Sequence, residues 1–288
     1  MTGKTLQTYL PEGTPSGIRI AELTTRIVLA VSVPRTKLEQ FFHRLESQHI
    51  GTYFLFGGSD DDTKPISYIG QTEDLKTRLK NHDANKEFWT TAVVLISRTH
   101  SFTQAHIRWL EWHSILKAKE ANRYHLENGN SSGLPFVTEP ILADLHEIFE
   151  TGSLLLESLG YPIFKPLVSK PETNLSESEN EKWYLKSKDV DAIGVFTTEG
   201  FILLKNSKLR AEFTPGAVDS GFARKRHKLV EEAILKLDGN SYIAQEDFIC
   251  NSPSQAAAIS LARHSNGWVL WKNKFGQTLD EVKRQSEN

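Results

Sequence analysis

A polar stretch beyond the middle of the chain limits what its 288 residues can fold into. Between Val168 and Trp183 the sequence is rich in serine, glutamate and asparagine, and Leu175 is the one aliphatic residue within it. Such a stretch buries too little apolar surface to offset the entropy that is lost on ordering it. The whole chain is nevertheless 39% hydrophobic, which is enough for a core on each side of the stretch. We therefore predict two folded domains joined by a flexible linker at residues 165–182.

The overall composition excludes several classes of protein. Cys250 is the single cysteine, so a disulfide scaffold and a multi-cysteine zinc site are both excluded. No run of about 18 apolar residues is present to span a membrane, and the amino-terminal residues lack the apolar stretch of a secretory signal. The formal net charge is −2, so any nucleic-acid contact has to come from a local basic patch. These features predict a cytoplasmic protein with no membrane contact.

The sequence of residues 1–48 predicts a β-rich lead-in segment before the first domain. Leu6–Leu10 and Ile18–Val33 are rich in β-branched residues and are separated by a turn that contains proline and glycine, which favours two or three strands. The apolar spacing within Thr36–Ser47 predicts a short amphipathic helix. We expect this segment to be a small element rather than an independent enzyme.

Residues 49–164 predict the first domain, in which strand and helix signals alternate. The order of elements indicates a small mixed α/β (α+β) fold. The predicted strands are Tyr53–Phe56, Ile66–Ile69 and Ala92–Ile96 (within Trp89–Ser97), and the predicted helices are Asp74–Asn81 (capped by Thr72), Thr103–Asn122 and Pro140–Gly160.

Residues 183–288 predict a second, smaller α+β domain. The strands are predicted mainly from short apolar runs, and one helix is predicted from a Ser-Pro pair at its start. The predicted strands are Ala192–Phe196, Phe201–Lys205 and Trp268–Trp271, and the predicted helices are Ala223–Leu237 and Ser254–Arg263.

Five polar residues of the first domain suit one kind of chemistry. Tyr53 and Tyr68 lie on predicted strands, and Arg78 and His82 are four residues apart on a short helix, so both project from one helical face. Glu111 lies between tryptophan and leucine residues on a long helix, where a carboxylate is expected to be paired or to bind a metal. Phosphodiester cleavage needs an activated water and stabilisation of extra negative charge on phosphorus, which these side chains could supply. Taken singly, the tyrosines are more often core residues, and the arginine and histidine are more often solvated.

The order of these residues resembles the GIY-YIG nuclease superfamily, which is named after two strand tripeptides. The resemblance covers roughly 110 residues, and Thr52 stands where the family name has isoleucine, a minor departure because both are β-branched. The residues that carry the resemblance are Gly51-Thr52-Tyr53, Tyr68-Ile69-Gly70, Arg78, His82, Glu111 and Asn128.

The resemblance implies a three-stranded antiparallel sheet flanked by helices, and a role for each matched residue. Glu111 would be the protein ligand of Mg²⁺ (or Mn²⁺), an ion that keeps most of its waters. Arg78 would hold the scissile phosphate. Tyr53 would help to deprotonate the attacking water, and Tyr68 and His82 would position groups or relay protons. Asn128 would be a structural or substrate-orienting amide at the edge of the catalytic site.

Two basic clusters are candidates for further contact with DNA. Lysine and arginine side chains can neutralise backbone phosphates, although a charge run is more often a solvated face. The acidic and basic residues of the second domain nearly balance, so that domain is not strongly basic. The candidate nucleic-acid-binding residues are Lys76 and Lys80 on the first helix of the nuclease-like domain, and Arg224, Lys225 and Arg226 near the start of a helix in the second domain.

The second domain also resembles a known family, a domain of unknown function that is often appended to GIY-YIG nucleases. The matching segments are Gly200–Ser207, Phe248–Ala258 and Asn266–Lys272. The resemblance implies an architecture and no mechanism, and we expect a DNA-binding or partner-binding accessory domain.

The sequence as a whole predicts a metal-dependent endonuclease that hydrolyses DNA. One active site per chain implies that double-strand cleavage needs a homodimer or two successive nicks. Three alternatives remain open at this stage. They are a catalytically silent nucleic-acid-binding module, an RNase of the same fold, and an interaction protein whose working part is the second domain.

Overall fold

The computed structural model describes residues 3–58, 63–128, 133–168 and 181–284. The described residues form two compact units, and the boundary between the units falls between Pro166 and Leu167. Most of the predicted linker, residues 169–180, lies outside the described residues. Both units combine a sheet with helices, so the predicted mixed α+β class is confirmed.

The first unit is built on one seven-stranded sheet. Neighbouring strands are antiparallel apart from the last pair, and the strand order is β1-β2-β3-β6-β4-β5-β7. The strands are β1 (Leu6–Tyr9), β2 (Arg19–Leu23), β3 (Val28–Pro34), β4 (Gly51–Gly57), β5 (Ile66–Thr72), β6 (Trp89–Ser97) and β7 (His125–Leu126).

The prediction of a three-stranded sheet was therefore wrong in its strand count. Strand β3 pairs with β6 along its whole length, from Val28 opposite Ser97 to Pro34 opposite Thr91. Without β3, the main-chain edge of β6 and both apolar faces of that edge would be open to water. Residues 1–48 thus extend the sheet that carries the predicted site, rather than forming a separate element before it.

Four helices cover the two faces of this sheet. Because side chains alternate along a strand, Tyr53 and Leu55 pack towards α1 and α2, while Phe54 and Phe56 pack towards α3 and α4. The helices are α1 (Leu38–Phe42), α2 (Leu75–Asn85), α3 (Gln104–Ala121) and α4 (Glu139–Ser158).

Helix α2 starts and ends later than the sequence predicts. Asp74, rather than Thr72, is the N-cap, and its carboxylate accepts a hydrogen bond of 2.9 Å from the Thr77 main-chain N–H. The Thr72 hydroxyl instead donates to the Asp74 carbonyl. The helix continues to Asn85, so it gains a further turn that carries His82 against the sheet.

The second unit holds another seven-stranded sheet. Its order is β12-β13-β11-β9-β10-β14, and β8 pairs with β9 off this path. The strands are β8 (Lys182–Ser187), β9 (Val190–Thr197), β10 (Gly200–Leu203), β11 (Lys208–Arg210), β12 (Leu235–Asp238), β13 (Ser241–Ala244) and β14 (Phe248–Cys250), and the helices are α5 (Gly221–Glu231), α6 (Pro253–Leu261), α7 (Gly267–Leu270) and α8 (Leu279–Lys283).

Two secondary-structure predictions for this unit were wrong. The helix predicted over Ala223–Leu237 ends at Glu231, because Ala233 has a φ of 58° and the chain then enters β12. The strand predicted over Trp268–Trp271 is the helical turn α7, which buries Trp271 so that its indole N–H donates to the Pro253 carbonyl. A short apolar run has the same composition in a buried strand and in a buried turn, so its pattern does not separate the two.

No helix within the described part of the chain is both long enough and apolar enough to cross a membrane.

Candidate active site

Tyr53 is the centre of a hydrogen-bonded cluster between β4 and α2. Its side chain is fully buried, and its phenol oxygen lies 2.8 Å from the Arg78 Nε and 2.8 Å from the His82 Nε2. Arg78 and His82 are one turn apart on α2, so the helix presents both to the same phenol. The predicted strand–helix convergence of these three residues is therefore present in the structure.

The direction of these hydrogen bonds follows from the chemistry of the partners. A guanidinium can only donate, so the Tyr53 oxygen accepts from Arg78. Burial, together with the charges of Arg78 and Lys86, lowers the pKa of His82 to about 4, so this imidazole is neutral near pH 7. Among the described residues, His82 Nε2 is the acceptor available to the Tyr53 hydroxyl. The phenol proton therefore points at His82.

Burial sets the protonation state of the phenol itself. It raises the pKa of Tyr53 above its ordinary value of 10.0, and the hydrogen bond from Arg78 opposes this effect. The same bond raises the pKa of Arg78, so the guanidinium stays charged. At neutral pH the cluster is thus a neutral phenol between a permanent cation and a neutral imidazole.

Tyr68 flanks this cluster on the neighbouring strand. Its half-buried ring lies 6.2 Å from the Tyr53 ring and 5.2 Å from the His82 ring, measured between centroids. Residues 53 and 68 face the same side of the sheet because Tyr68 is paired with Leu55, two residues beyond Tyr53. The two tyrosines of the sequence motif therefore border one site.

Glu111 approaches the site from the other layer of the structure. It lies on α3, and its carboxylate accepts a hydrogen bond from the Gln71 main chain at the outer edge of β5. Burial raises the pKa of Glu111, while the nearby charges of Arg78 and Arg108 oppose this shift. The edge of β5 thus brings a carboxylate of α3 near the guanidinium of α2.

Asn128 holds the same edge of β5. Its amide oxygen accepts from the Ile69 main-chain N–H at 2.9 Å, and its amide nitrogen donates to the Ile69 carbonyl at 2.7 Å. The side chain therefore imitates a peptide group and continues the ladder beyond β7, which pairs only with Ile66 and Ser67. Both ends of the amide are engaged, so the geometry supports the structural reading of Asn128 rather than contact with substrate.

Comparison with family models matches the segment that carries this cluster to a known family. Residues 49–128 match the family model described as the GIY-YIG catalytic domain, and the range includes every residue of the cluster. The chain carries a GIY-YIG domain. C-terminal to it, residues 183–283 match the model described as DUF4357, a domain of unknown function. No curated protein and no solved structure gives a significant match to the chain.

The two matches confirm the two resemblances seen in the sequence. GIY-YIG proteins are endonucleases, so the match supports nuclease chemistry for the first unit. The matched range covers strands β4 to β7 with helices α2 and α3, and the strands of residues 1–48 lie outside it although they share the same sheet.

The predicted nucleic-acid-binding residues differ in accessibility. Lys76 and Lys80 are exposed on α2 of the GIY-YIG domain, with the Lys80 ammonium 5.2 Å from the Phe42 ring. In the DUF4357 domain Arg224 is exposed, whereas the Lys225 ammonium donates to the Ile249 carbonyl at 2.8 Å.

Arg226 is the exception, and its prediction as a nucleic-acid-binding residue was wrong. Its side chain is 1% exposed and donates to the carbonyls of Arg210, Ala211 and Ile259. The rings of Phe213 and Tyr242 lie 4.9 Å and 5.1 Å from the guanidinium carbon. A guanidinium with its donors consumed inside a core cannot also contact a backbone phosphate.

Glu111 of the GIY-YIG domain suits a metal ion that keeps most of its waters, rather than an ion whose ligands all come from the protein. Within the described residues, no group of three His, Cys, Asp or Glu side chains could hold a metal. Mg²⁺ commonly binds through one or two carboxylates and keeps several waters. Glu111, half-buried and near Arg78, is a donor of this kind.

Two further groups contribute to this site, and the sequence predicted a site role for neither. The Gln71 main-chain N–H holds Glu111, and no side-chain pattern could have revealed it. Lys86 lies with its ammonium 4.7 Å from the Tyr68 ring. The spacing of residues 78, 82 and 86, four apart on one helical face, is the signal that could have identified it.

Proposed function

We propose that this chain is a metal-dependent endonuclease that hydrolyses phosphodiester bonds of DNA. The observation that carries the proposal is the arrangement of Arg78 and His82 on one phenol, with Glu111 near Arg78, inside a GIY-YIG domain. This arrangement supplies a fixed cation, a proton path and a carboxylate, which are the groups that the hydrolysis of a phosphodiester needs.

In this proposal, Arg78 holds the scissile phosphate. Its Nε is engaged by Tyr53, which fixes the plane of the guanidinium, and its terminal N–H groups are the donors for phosphate oxygens. Because the fork is oriented before substrate arrives, little entropy is lost when the phosphate binds. The positive charge also stabilises the extra negative charge that develops on phosphorus.

The proton of the attacking water moves along the path from Tyr53 to His82. The water gives its proton to the phenol oxygen while the phenol gives its own proton to His82 Nε2, so the phenol is never left as an anion. The resulting hydroxide attacks phosphorus, one P–O ester bond breaks, and the leaving oxygen takes a proton from solvent. This relay avoids the high cost of ionising a buried phenol whose pKa is raised.

Glu111 would hold Mg²⁺ or Mn²⁺ at this site. When bound, such an ion supplies positive charge to the phosphate and to the leaving oxygen. The described residues offer this ion no dedicated protein cage, so we propose that affinity for it is modest and that metal on the order of millimolar is needed for full activity.

The decisive experiment measures cleavage of supercoiled, linear and single-stranded DNA in Mg²⁺ or Mn²⁺. The full chain is compared with Glu111→Ala, and Glu150→Gln, an exposed carboxylate on α4, is the matched control. The proposal expects cleavage by the wild-type chain and by Glu150→Gln, and no cleavage by Glu111→Ala or in EDTA. Equal cleavage by Glu111→Ala contradicts the assignment of this carboxylate.

The same experiment separates the alternatives. DNA that is bound in a salt-sensitive manner but never cleaved indicates a silent binding module. A parallel RNA panel that is cleaved in place of DNA indicates an RNase. The homodimer is not supported by either domain match, so nicking of one strand is the first product to expect from a single chain.

We further propose that residues 183–288 form an accessory domain, in which Arg224 is the exposed member of the three predicted DNA contacts. The domain limits 1–48, 49–164 and 183–288 and the cytoplasmic location stay predictions.

A further inference from the structure

Lys86 lies beside the catalytic cluster without belonging to the sequence motif. It is the C-cap of α2, and its main-chain N–H donates to the His82 carbonyl at 2.9 Å. Its ammonium lies 4.7 Å from the centroid of the Tyr68 ring and 5.8 Å from that of the Phe88 ring. The residue thus continues the row formed by Arg78 and His82, and its charge is held over a tyrosine that borders the site.

The charge of Lys86 is not neutralised within the described part of the chain. Neither Asp83 nor Glu87, the acidic residues on either side of it in sequence, forms an ion pair with Lys86. The Asp83 carboxylate is bound by Arg35 Nε at 2.7 Å, so it is directed away to another cation. A half-buried ammonium that has aromatic faces but no carboxylate partner is arranged to receive an anion.

The charge of Lys86 also acts on His82, the neighbouring imidazole of the cluster. The positive charges of Arg78 and Lys86 both lower the pKa of His82, in addition to burial. An anion that binds at Lys86 would therefore lie within the electrostatic field of the proton acceptor for Tyr53.

We propose that the Lys86 ammonium binds a backbone phosphate of the substrate adjacent to the one held by Arg78. The inference rests on the proposed function and adds a second phosphate contact to it. A nucleic-acid strand offers phosphates at regular intervals, so two cations on one helical face fit two positions along one strand. Lys86 thereby fixes the direction in which the strand crosses Tyr68.

The experiment measures binding of a DNA duplex by the full chain as a function of salt concentration. Cleavage is prevented with the Glu111→Ala background, and Lys86→Gln and Lys86→Arg are compared in that background. Lys119→Gln is the matched control, since Lys119 is exposed on α3, across the sheet from α2. Loss of one phosphate contact reduces the slope of log K against log salt by about 0.9.

We expect Lys86→Gln to weaken binding about three- to tenfold at low salt and to reduce the salt slope by about one phosphate. Lys86→Arg is expected to retain the slope, and Lys119→Gln to leave both quantities unchanged. In a separate cleavage assay with Glu111 intact, Lys86→Gln should raise KM more than it lowers kcat.

Two results overturn the assignment. An unchanged salt slope in Lys86→Gln shows that Lys86 makes no phosphate contact. This conclusion holds even if kcat falls because the Tyr68 ring has lost its contact with Lys86. An equal change of slope in Lys119→Gln shows that the effect is not local to this site. Failure of the wild-type chain to cleave DNA overturns the proposed function alone, because the salt slope of binding still tests Lys86. Failure to bind DNA overturns both, and it is distinguished by the absence of any salt-sensitive binding to compare.

Discussion

Gly70 lies directly opposite Tyr53 in the ladder between β4 and β5, in space that the phenol needs. A Cβ atom built on Gly70 would overlap the phenol oxygen and the ring carbon that bears it. The glycine of the second tripeptide is therefore required by the tyrosine of the first, because the ring passes over the bare main chain of β5 to reach Arg78 and His82. The two tripeptides of the motif therefore pack against each other, in addition to forming paired strands.

We expect Gly70→Ala to displace the Tyr53 ring and to lower the free energy of unfolding by about 1–3 kcal/mol, the usual cost of overpacking a core. The cleavage rate should fall by more than the unfolded fraction accounts for, because the phenol leaves both of its hydrogen-bond partners. Urea unfolding and the DNA cleavage rate are the measurements. Gly133→Ala is the control, since a Cβ at Gly133 meets no atom within 4 Å. A fully active Gly70→Ala would contradict this account.

Asn128 should act through the edge of β5 rather than through substrate. Asn128→Asp keeps the acceptor for the Ile69 N–H but replaces the donor with an oxygen that faces the Ile69 carbonyl. We expect a loss of about 1–3 kcal/mol in the free energy of unfolding. Substrate KM should change little in the folded fraction. If unfolding is unaffected while KM rises strongly, the side chain contacts substrate after all.

The stability of the chain should decrease in mild acid because of His82. The pKa of this buried imidazole is about 4 in the folded chain, against an ordinary value of 6.5, so the unfolded chain takes up the proton first as pH falls. Stability is therefore lost between pH 6.5 and about 4, and His113, whose pKa burial also lowers to about 4, adds to the loss in the same range.

Substitution isolates the contribution of His82. We expect His82→Gln to show a smaller difference in the free energy of unfolding between neutral pH and pH near 4 than the wild-type chain shows. The raised pKa of Glu111 acts in the opposite direction, but it is present in both proteins and cancels in the comparison. Identical pH dependence of the two proteins would show that His82 does not titrate with a lowered pKa.

Arg226 should matter for folding, and Arg224 for contact with DNA. Arg226→Met removes the donor to three carbonyl groups, and we expect the DUF4357 domain to lose about 2–4 kcal/mol of stability. Arg224→Gln, two residues away and exposed, should leave stability unchanged and weaken DNA binding modestly. Denaturant unfolding combined with a DNA-binding titration separates the two effects, and equal stability of both variants would contradict the buried role of Arg226.

Much of the GIY-YIG domain was predictable because its signals are local. The strand predicted at Ala92–Ile96 is present and extends over the whole of Trp89–Ser97, and the helix predicted from Thr103 to Asn122 has these residues as its caps. The pairing of residues 28–34 with β6 was not predictable, since no local pattern says which strand completes a sheet edge. The helical turn at Trp268–Trp271 was predicted as a strand for a different reason, because a short buried run carries no period of its own.

The sequence by itself determined which side chains form the candidate site. The spacing of Arg78 and His82 on one helix, and of the two tyrosines on paired strands, follows from helical and strand periodicity, which are local properties of the chain. The tertiary structure alone decided the environment of these groups. Burial raises the pKa of Tyr53 and lowers that of His82, and the open edge of β5 brings Glu111 to Arg78 from the opposite layer. Desolvation and contacts between layers depend on residues distant in sequence, so they exist only once the sheet and helices have packed.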